Sequence, residues 1–263
     1  MDTISEIIGK NLLDTFFQPV AELCDGNILG YEALSRGPEN TKLYNPVNMI
    51  SEAKCRNRMH ELDSLFSSNA LRNAASRGNS KLLFINIDPT AFMESDGEPL
   101  IHPEKYGVAC ESVVIEVSDA TALCSLRGFQ KNIAAYKEKG FKIAVDDLGS
   151  DFAQFGVLLG LYPDFGKIDR RYIQEIQNRP ENRKMVSSLL TLASPAGTCL
   201  IAEGVENAEE LDALMKIGMP AAQGNYLCRP GRRLGEIEAD ALAQIQSFQQ
   251  KSIQERIISD DLL

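Results

Sequence analysis

The chain has 263 residues, enough for one large α/β barrel or two ordinary domains, and no Pro/Gly/Ser-rich stretch divides it. Apolar residues make up 44% and charged residues 24%, a balance that excludes wholesale disorder. A formal charge of −10 without a basic block repels nucleic acid polymers, and no apolar run reaches the roughly 18 residues of a membrane span.

The amino terminus, Met1-Asp2-Thr3-Ile4-Ser5-Glu6, lacks the basic-then-apolar pattern of an export signal, so a cytoplasmic location is expected. Six cysteines (Cys24, Cys55, Cys110, Cys124, Cys199, Cys228) show no Cys-x-x-Cys spacing. They speak against a zinc site or redox pair and suit small apolar fillers in a reducing compartment. With only His60 and His102, neither in a ligand pair, any metal has to be held by oxygen.

In chain order, Ile4, Ile7, Ile8 and Leu12 form a helical stripe. Phe16–Leu23 and Ile28–Leu34 then flank the turn-forming Cys24-Asp25-Gly26-Asn27, which predicts an antiparallel hairpin, with Pro19 marking an edge or irregular position. Two helices follow between Pro46 and Arg77, the first opened by Pro46 and the second closed by Gly78. From there strand and helix alternate. Strands are predicted at Leu82–Asp88, Ser112–Ser118, Lys142–Asp147, Phe165–Asp169, Thr198–Val205 and Ala222–Leu227. Helices are predicted at Gly128–Lys139, Phe152–Leu161, Glu181–Ala193 and Ala208–Ile217. Such alternation makes a parallel sheet, and in an undivided chain it closes into an α/β fold, a (β/α)8 TIM barrel modified by an antiparallel first strand. The barrel is expected over residues 1–235, with residues 236–263 a C-terminal helix that either caps it or connects to a further domain.

Each strand of this rhythm ends in a polar residue that a buried strand does not need. These are Glu32, Asn86, Glu116, the pair Asp146 and Asp147, Lys167, Glu203 and Gln223. Any one of them alone reads more readily as a buried structural pair, and the Asp146-Asp147 pair alone more readily as a helix cap beside a surface ion pair. Together, five carboxylates with two amides and one lysine at the carboxyl ends of barrel strands would be electrostatically intolerable without cations. Metal binding resolves the conflict.

The phrases Tyr31-Glu32-Ala33-Leu34-Ser35-Arg36, Asn86, Ile115-Glu116-Val117-Ser118-Asp119, Asp146-Asp147-Leu148-Gly149-Ser150, Lys167-Ile168-Asp169, Ala202-Glu203-Gly204-Val205-Glu206 and Gln223-Gly224 resemble, in order and spacing, the signature of the EAL domain. That family comprises bacterial phosphodiesterases of the second messenger cyclic di-GMP, and the resemblance runs from about Phe16 to Pro230. It implies two Mg2+ or Mn2+ ions, with Glu32, Asn86, Glu116 and Asp146 holding one and Asp146 bridging to a second that Asp147 also holds. It further implies Glu203 as general base or outer ligand, Lys167 orienting the attacking water, Arg36 gripping phosphate, and Gln223 bonding near the metal or the water. The product would be linear pGpG. Family members often pair through the elements after the Asp-Asp loop. Here Phe155, Leu158, Leu159 and Leu161 would serve a homodimer or the helix's own core, and core packing takes precedence.

Three positions depart from the family pattern. Asp151 stands where a second glycine is usual, Asp119 is one methylene shorter than the common loop-anchoring Glu, and Gly166 replaces a bulky apolar residue before Lys167. None removes an expected ligand. They leave two readings, a slow or regulated hydrolase and a cyclic di-GMP receptor with negligible turnover.

Overall fold

The computed structural model describes residues 3–94, 98–118, 127–149 and 160–260. Strands β1 (Asp14–Glu22), β2 (Ile28–Arg36), β3 (Leu82–Ile87), β4 (Val113–Val117), β5 (Lys142–Leu148), β6 (Phe165–Ile168), β7 (Cys199–Ala202) and β8 (Ala221–Ala222) close into a barrel in chain order. β1 runs antiparallel to both β2 and β8, and every other neighbouring pair is parallel. The expected TIM-type barrel with an inverted first strand is therefore the observed fold.

Local chemistry explains the inversion. Gly26 takes φ +81, and Asp25 Oδ1 accepts the Asn27 N–H at 2.8 Å, so the chain reverses in a tight turn. Pro19 pairs with Tyr31 of β2 but lies between two contacts on the other side of β1, the bridge from Phe17 to Gly231 and the pair Ala21–Ala222. The side on which proline lacks a donor thus faces a gap in the ladder.

The helices are α1 (Ile4–Lys10), α2 (Pro46–Cys55), α3 (Met59–Ser76), α4 (Pro89–Glu94), α5 (Arg127–Glu138), α6 (Arg170–Ile173), α7 (Pro180–Ala196), α8 (Ala208–Ile217) and α9 (Ala239–Asp260). Outward-facing strand residues such as Ile85, Ile115, Val145 and Leu200 pack against them in one large core. In α9, Ala241 and Ile245 are buried, Gln249 Nε2 donates to Leu23 O at 2.8 Å, and Gln244 Nε2 donates to Ala208 O at 2.8 Å. The tail helix thereby rests on the base of the opening hairpin and on α8.

Inside the barrel, Val20, Phe84, Val114, Ala144, Phe165, Ile201 and Ala221 form an apolar plug. The Phe84 and Phe165 rings meet edge to face with centroids 5.2 Å apart. Strand side chains alternate with a period of two, so the next inward residue on each strand lies two positions along. Those residues are Asn86, Glu116, Asp146, Lys167, Glu203 and Gln223, with Glu32 following Gly30 on β2 and Gln18 matching Val20 on the inverted β1. The plug is the floor on which a polar layer stands.

Four elements differ from expectation. β7 and β8 are shorter than the predicted Thr198–Val205 and Ala222–Leu227. Gly204 turns the chain at φ +72, and Gly224 lies so tightly against the Val205 backbone that any Cβ there would overlap it. The apolar residues beyond Ala222 therefore wrap Val205 rather than extend a ladder. Helices α4 and α6 were not expected, since neither is long enough to show a periodic pattern. Of the predicted helix Phe152–Leu161, Phe155, Leu158 and Leu159 lie outside the described residues, as do Asp119 and Asp151, while Leu161 is buried.

Gly30 has no side chain because Phe84 occupies the space; a Cβ would lie 2.7 Å from Phe84 Cε2 and from the Leu82 carbonyl oxygen. Gly30→Ala is expected to destabilise the protein by about 1–3 kcal/mol through overpacking. Thermal unfolding should then show a midpoint lowered by about 2–4 °C per kcal/mol.

Candidate active site

Lys167 reaches the centre of the polar layer with a side chain that is 1% exposed. Its ammonium lies 2.7 Å from Glu203 Oε1, 2.9 Å from Glu116 Oε1 and 3.1 Å from Glu32 Oε2. β2, β4, β6 and β7 thus converge on one cation. Glu32 is further bonded by the side-chain amides of Asn86, at 3.0 Å, and Gln223, at 2.7 Å. Gln223 Nε2 also donates to Gln18 Oε1 at 3.0 Å. Asn86 and Gln223 hold Glu32, and Gln18 holds Gln223.

A second group overlaps the first. One carboxylate oxygen each from Asp146, Asp147 and Glu203 lie within 4.8 Å of one another. Strict alternation would part Asp146 from Asp147, and a bulge removes the conflict. Val145 pairs with Gly166 and Leu148 with Ile168, so three steps of β5 match two of β6. Asp147 takes φ 58, a left-handed conformation that Asp tolerates better than most residues, and its N–H donates to Asp146 Oδ1 at 2.9 Å. Asp169, by contrast, is committed elsewhere: it caps α6 and binds the Arg171 guanidinium at 2.8–3.1 Å.

Charge and burial set the protonation of the layer. Burial alone would lower the Lys167 ammonium, but Glu116, Glu203, Glu32 and Asp146 together hold it well above the ordinary lysine value. Burial opposes the charged form of Glu32 too, yet Lys167 and the amides of Gln223 and Asn86 keep that carboxyl below its usual range. Glu116 is driven well above its ordinary value by burial, with Glu32 and Asp146 adding to the effect. Glu203 is pushed up to about 8, again chiefly by burial. One ammonium does not satisfy this many acids.

The donors suit a divalent cation. They are carboxylate and amide oxygens throughout, the preference of Mg2+ and Mn2+ rather than of softer metals. Glu116 Oε2 and Gln223 Oε1 are buried without a hydrogen-bond partner among the described residues. Buried acceptors are rarely left in that condition, and a cation is one of the standard reasons.

Beside Glu32 and Asn86 a cavity of about 370 Å3 opens toward the rim, lined among others by Arg36, Val47, Lys54, Asp63, Phe66 and Asp88. Arg36 stands at the top of β2 with its guanidinium over the Phe16 ring. It is apart from the carboxylate layer, as a group reaching for the outer part of a ligand would be. Sequence reasoning singled out neither Gln18 nor the Asp63–Asp88–Lys54 group. Gln18 would have been found by counting two residues back from Val20 on an inverted strand; Asp63 sits on a helix and carries no strand-end signal.

The EAL domain family model matches residues 1–230. The chain belongs to the EAL domain family. It is 25% identical over 234 residues to the signaling protein YkoW of Bacillus subtilis, covering 86% of this chain and 29% of YkoW. It is also 25% identical over 226 residues to the cyclic di-GMP phosphodiesterase RocR of Pseudomonas aeruginosa, covering 82% of this chain and 57% of RocR. This EAL chain therefore spans well under two thirds of either relative. Among solved structures, the calcium/cy-diGMP complex of Klebsiella pneumoniae BlrP1 superposes with a TM-score of 0.76 at 25% identity, over 86% of this chain and 58% of BlrP1. BlrP1 also has a manganese/cy-diGMP complex. Among the described residues of the EAL barrel, no helix is long and apolar enough to cross a membrane.

Asp63 offers a titration outside the layer. Burial raises its carboxyl from an ordinary 3.8 to about 7; the Asp88 N–H, donated at 2.9 Å, opposes the rise and the Asp88 charge adds to it. A raised carboxyl binds its proton more tightly in the folded state, so its contribution is full below the ordinary value and is lost as pH climbs through about 7. In metal-free protein, the stability of the wild type minus that of Asp63→Asn should fall by about 2–4 kcal/mol between roughly pH 4 and pH 8. Urea unfolding at both pH values measures it, and an unchanged difference would show that Asp63 is ionised throughout.

Proposed function

We propose that this EAL domain is a metal-dependent phosphodiesterase that hydrolyses cyclic di-GMP to linear pGpG. What carries the reading is the excess of acid over base in the polar layer, where Glu32, Glu116 and Glu203 share the ammonium of Lys167 and Glu203 also stands beside Asp146 and Asp147. The names of RocR and of the BlrP1 complexes support the same nucleotide and a divalent ion.

Glu32, Asn86, Glu116 and Asp146 would hold one Mg2+ or Mn2+, and Asp146 with Asp147 a second. Two such ions supply charge to the phosphate and its leaving oxygen and make water acidic enough to attack at neutral pH. The rest falls to the chain's own side chains. Arg36, a planar fork on the rim, binds and orients the phosphodiester. Lys167 positions the attacking water and offsets negative charge as it develops on phosphorus-bound oxygen. Glu203, 2.7 Å from Lys167 and ionised once cations offset the surrounding acids, takes the water's proton as the new P–O bond forms. One P–O bond of the ring breaks with its electron pair on the ribose oxygen, which takes a proton from solvent. Gln223 fixes Glu32 so that the carboxylate presents one geometry. The pairing of the chain with a second copy, and its attachment to further domains, are compatible with this role and not required by it.

With Mg2+ or Mn2+, purified protein should convert cyclic di-GMP to pGpG, and chelation should abolish the conversion. Glu32→Ala and Lys167→Met should each lower kcat by about 100-fold or more. Chromatography of the reaction products measures all three. Tight calorimetric binding without any product would assign the chain to the receptor class instead.

A further inference from the structure

Arg232 lies in the segment after β8, outside the polar layer. Its guanidinium is bonded to Asp14 Oδ2 at 2.6 Å and to Glu39 Oε1 at 2.7 Å. Its Cζ also sits 5.3 Å from the centroid of the Phe16 ring, the ring that carries Arg36 at 5.7 Å. Two guanidinium groups thus share one aromatic platform at the rim. They differ in their counter-charges. Arg232 has two carboxylates, whereas Arg36 has none within ion-pair distance among the described residues and donates instead to the Ser35 carbonyl at 2.9 Å.

The strand register makes this arrangement unexpected. Asp14 is the direct cross-strand partner of Arg36 in the antiparallel β1–β2 pair. Directly opposed residues project from the same face with Cβ atoms about 4.5–5.5 Å apart, and an Asp facing an Arg across such a pair ordinarily binds it. Phe16 opposite Leu34 and Gln18 opposite Glu32 continue the same face down into the polar layer. Arg36 therefore stands about 13 Å up the strand from Glu32, at four residues of strand rise. The acid closest to it in the ladder is turned away by Arg232.

We infer that Arg232 is a positioning residue for ligand binding: by engaging Asp14 and Glu39 it withholds both carboxylates from Arg36, whose guanidinium stays free on Phe16 for a phosphodiester. This rests on the role proposed above for Arg36. The exposed ion pairs themselves add little to stability, since such pairs are screened by water. Their effect is on which acid reaches which base. Without Arg232, Asp14 falls back on its register partner Arg36, and Glu39 is left uncompensated beside the path of an anionic ligand. The rim would then repel what Arg36 is there to hold.

The test compares wild type, Arg232→Ala, and the triple variant Arg232→Ala/Asp14→Asn/Glu39→Gln. Binding of cyclic di-GMP is measured by calorimetry with Ca2+. A substrate-free readout runs in parallel: the rate of phenylglyoxal labelling at Arg36, followed by peptide mapping. Arg232→Ala should weaken binding about fivefold to tenfold and slow labelling of Arg36 by a similar factor. The triple variant should return both to within about twofold of wild type. A mere clip holding the post-β8 segment to β1 predicts the opposite, because the triple variant lacks the clip entirely and would stay as weak as Arg232→Ala. That result, or unchanged binding and labelling in Arg232→Ala, would overturn the inference. Failure of the wild type to bind cyclic di-GMP while the labelling pattern holds would remove the proposed function and leave the shielding of Arg36 standing.

Discussion

The buried ammonium of Lys167 governs the upper half of this barrel. Three carboxylates from three other strands meet it at 2.7–3.1 Å, and each would be expensive to desolvate without it. The strand that supplies it, β6, is only four residues long and wholly buried, and the lysine side chain itself is 1% exposed. It also leaves a deficit of positive charge. Glu116 and Glu203 respond by holding protons more tightly than free carboxyls do, which is how a protein expresses an unmet demand for a counter-ion. Stability of the mouth and capacity for a cation are the same electrostatic fact seen from two sides.

The arrangement is built with little more than the two-residue period of a strand. The apolar floor and the polar layer lie two residues apart along each of these strands, so the placement of Asn86, Glu116, Asp146, Lys167, Glu203 and Gln223 follows from that of Phe84, Val114, Ala144, Phe165, Ile201 and Ala221. Two local devices break the rule where it would misplace an acid or a side chain. The β5 bulge brings Asp147 to the side of Asp146, and Gly30 omits a side chain where Phe84 needs the room. Each departure from regularity lies within reach of the site.

Much of this is legible in the residue order, for a physical reason. Apolar runs closed by polar residues identify buried parallel strands, and a cluster of acids at strand ends makes little sense without a metal. β2 to β6 and the helix Ala208–Ile217 accordingly agree closely with their sequence signals. Agreement fails where tertiary packing decides. A strand was expected to run on from Ala222 to Leu227, but the clasp of Gly224 on Val205 turns the chain away. Gln18 escaped notice because its strand runs the other way, and Arg232 because its partners lie 218 and 193 residues distant. Spacing along the chain encodes local period well and remote ion pairing hardly at all.

The apolar plug has one more effect. With Phe84 and Phe165 filling the centre, the barrel is a cup and not a tube. Solvent and solute share one entrance, so a molecule settling among the acids must send the displaced water back past itself, through the opening by which it came. Arrival and departure at such a dead end take turns; they cannot proceed as a through-flow.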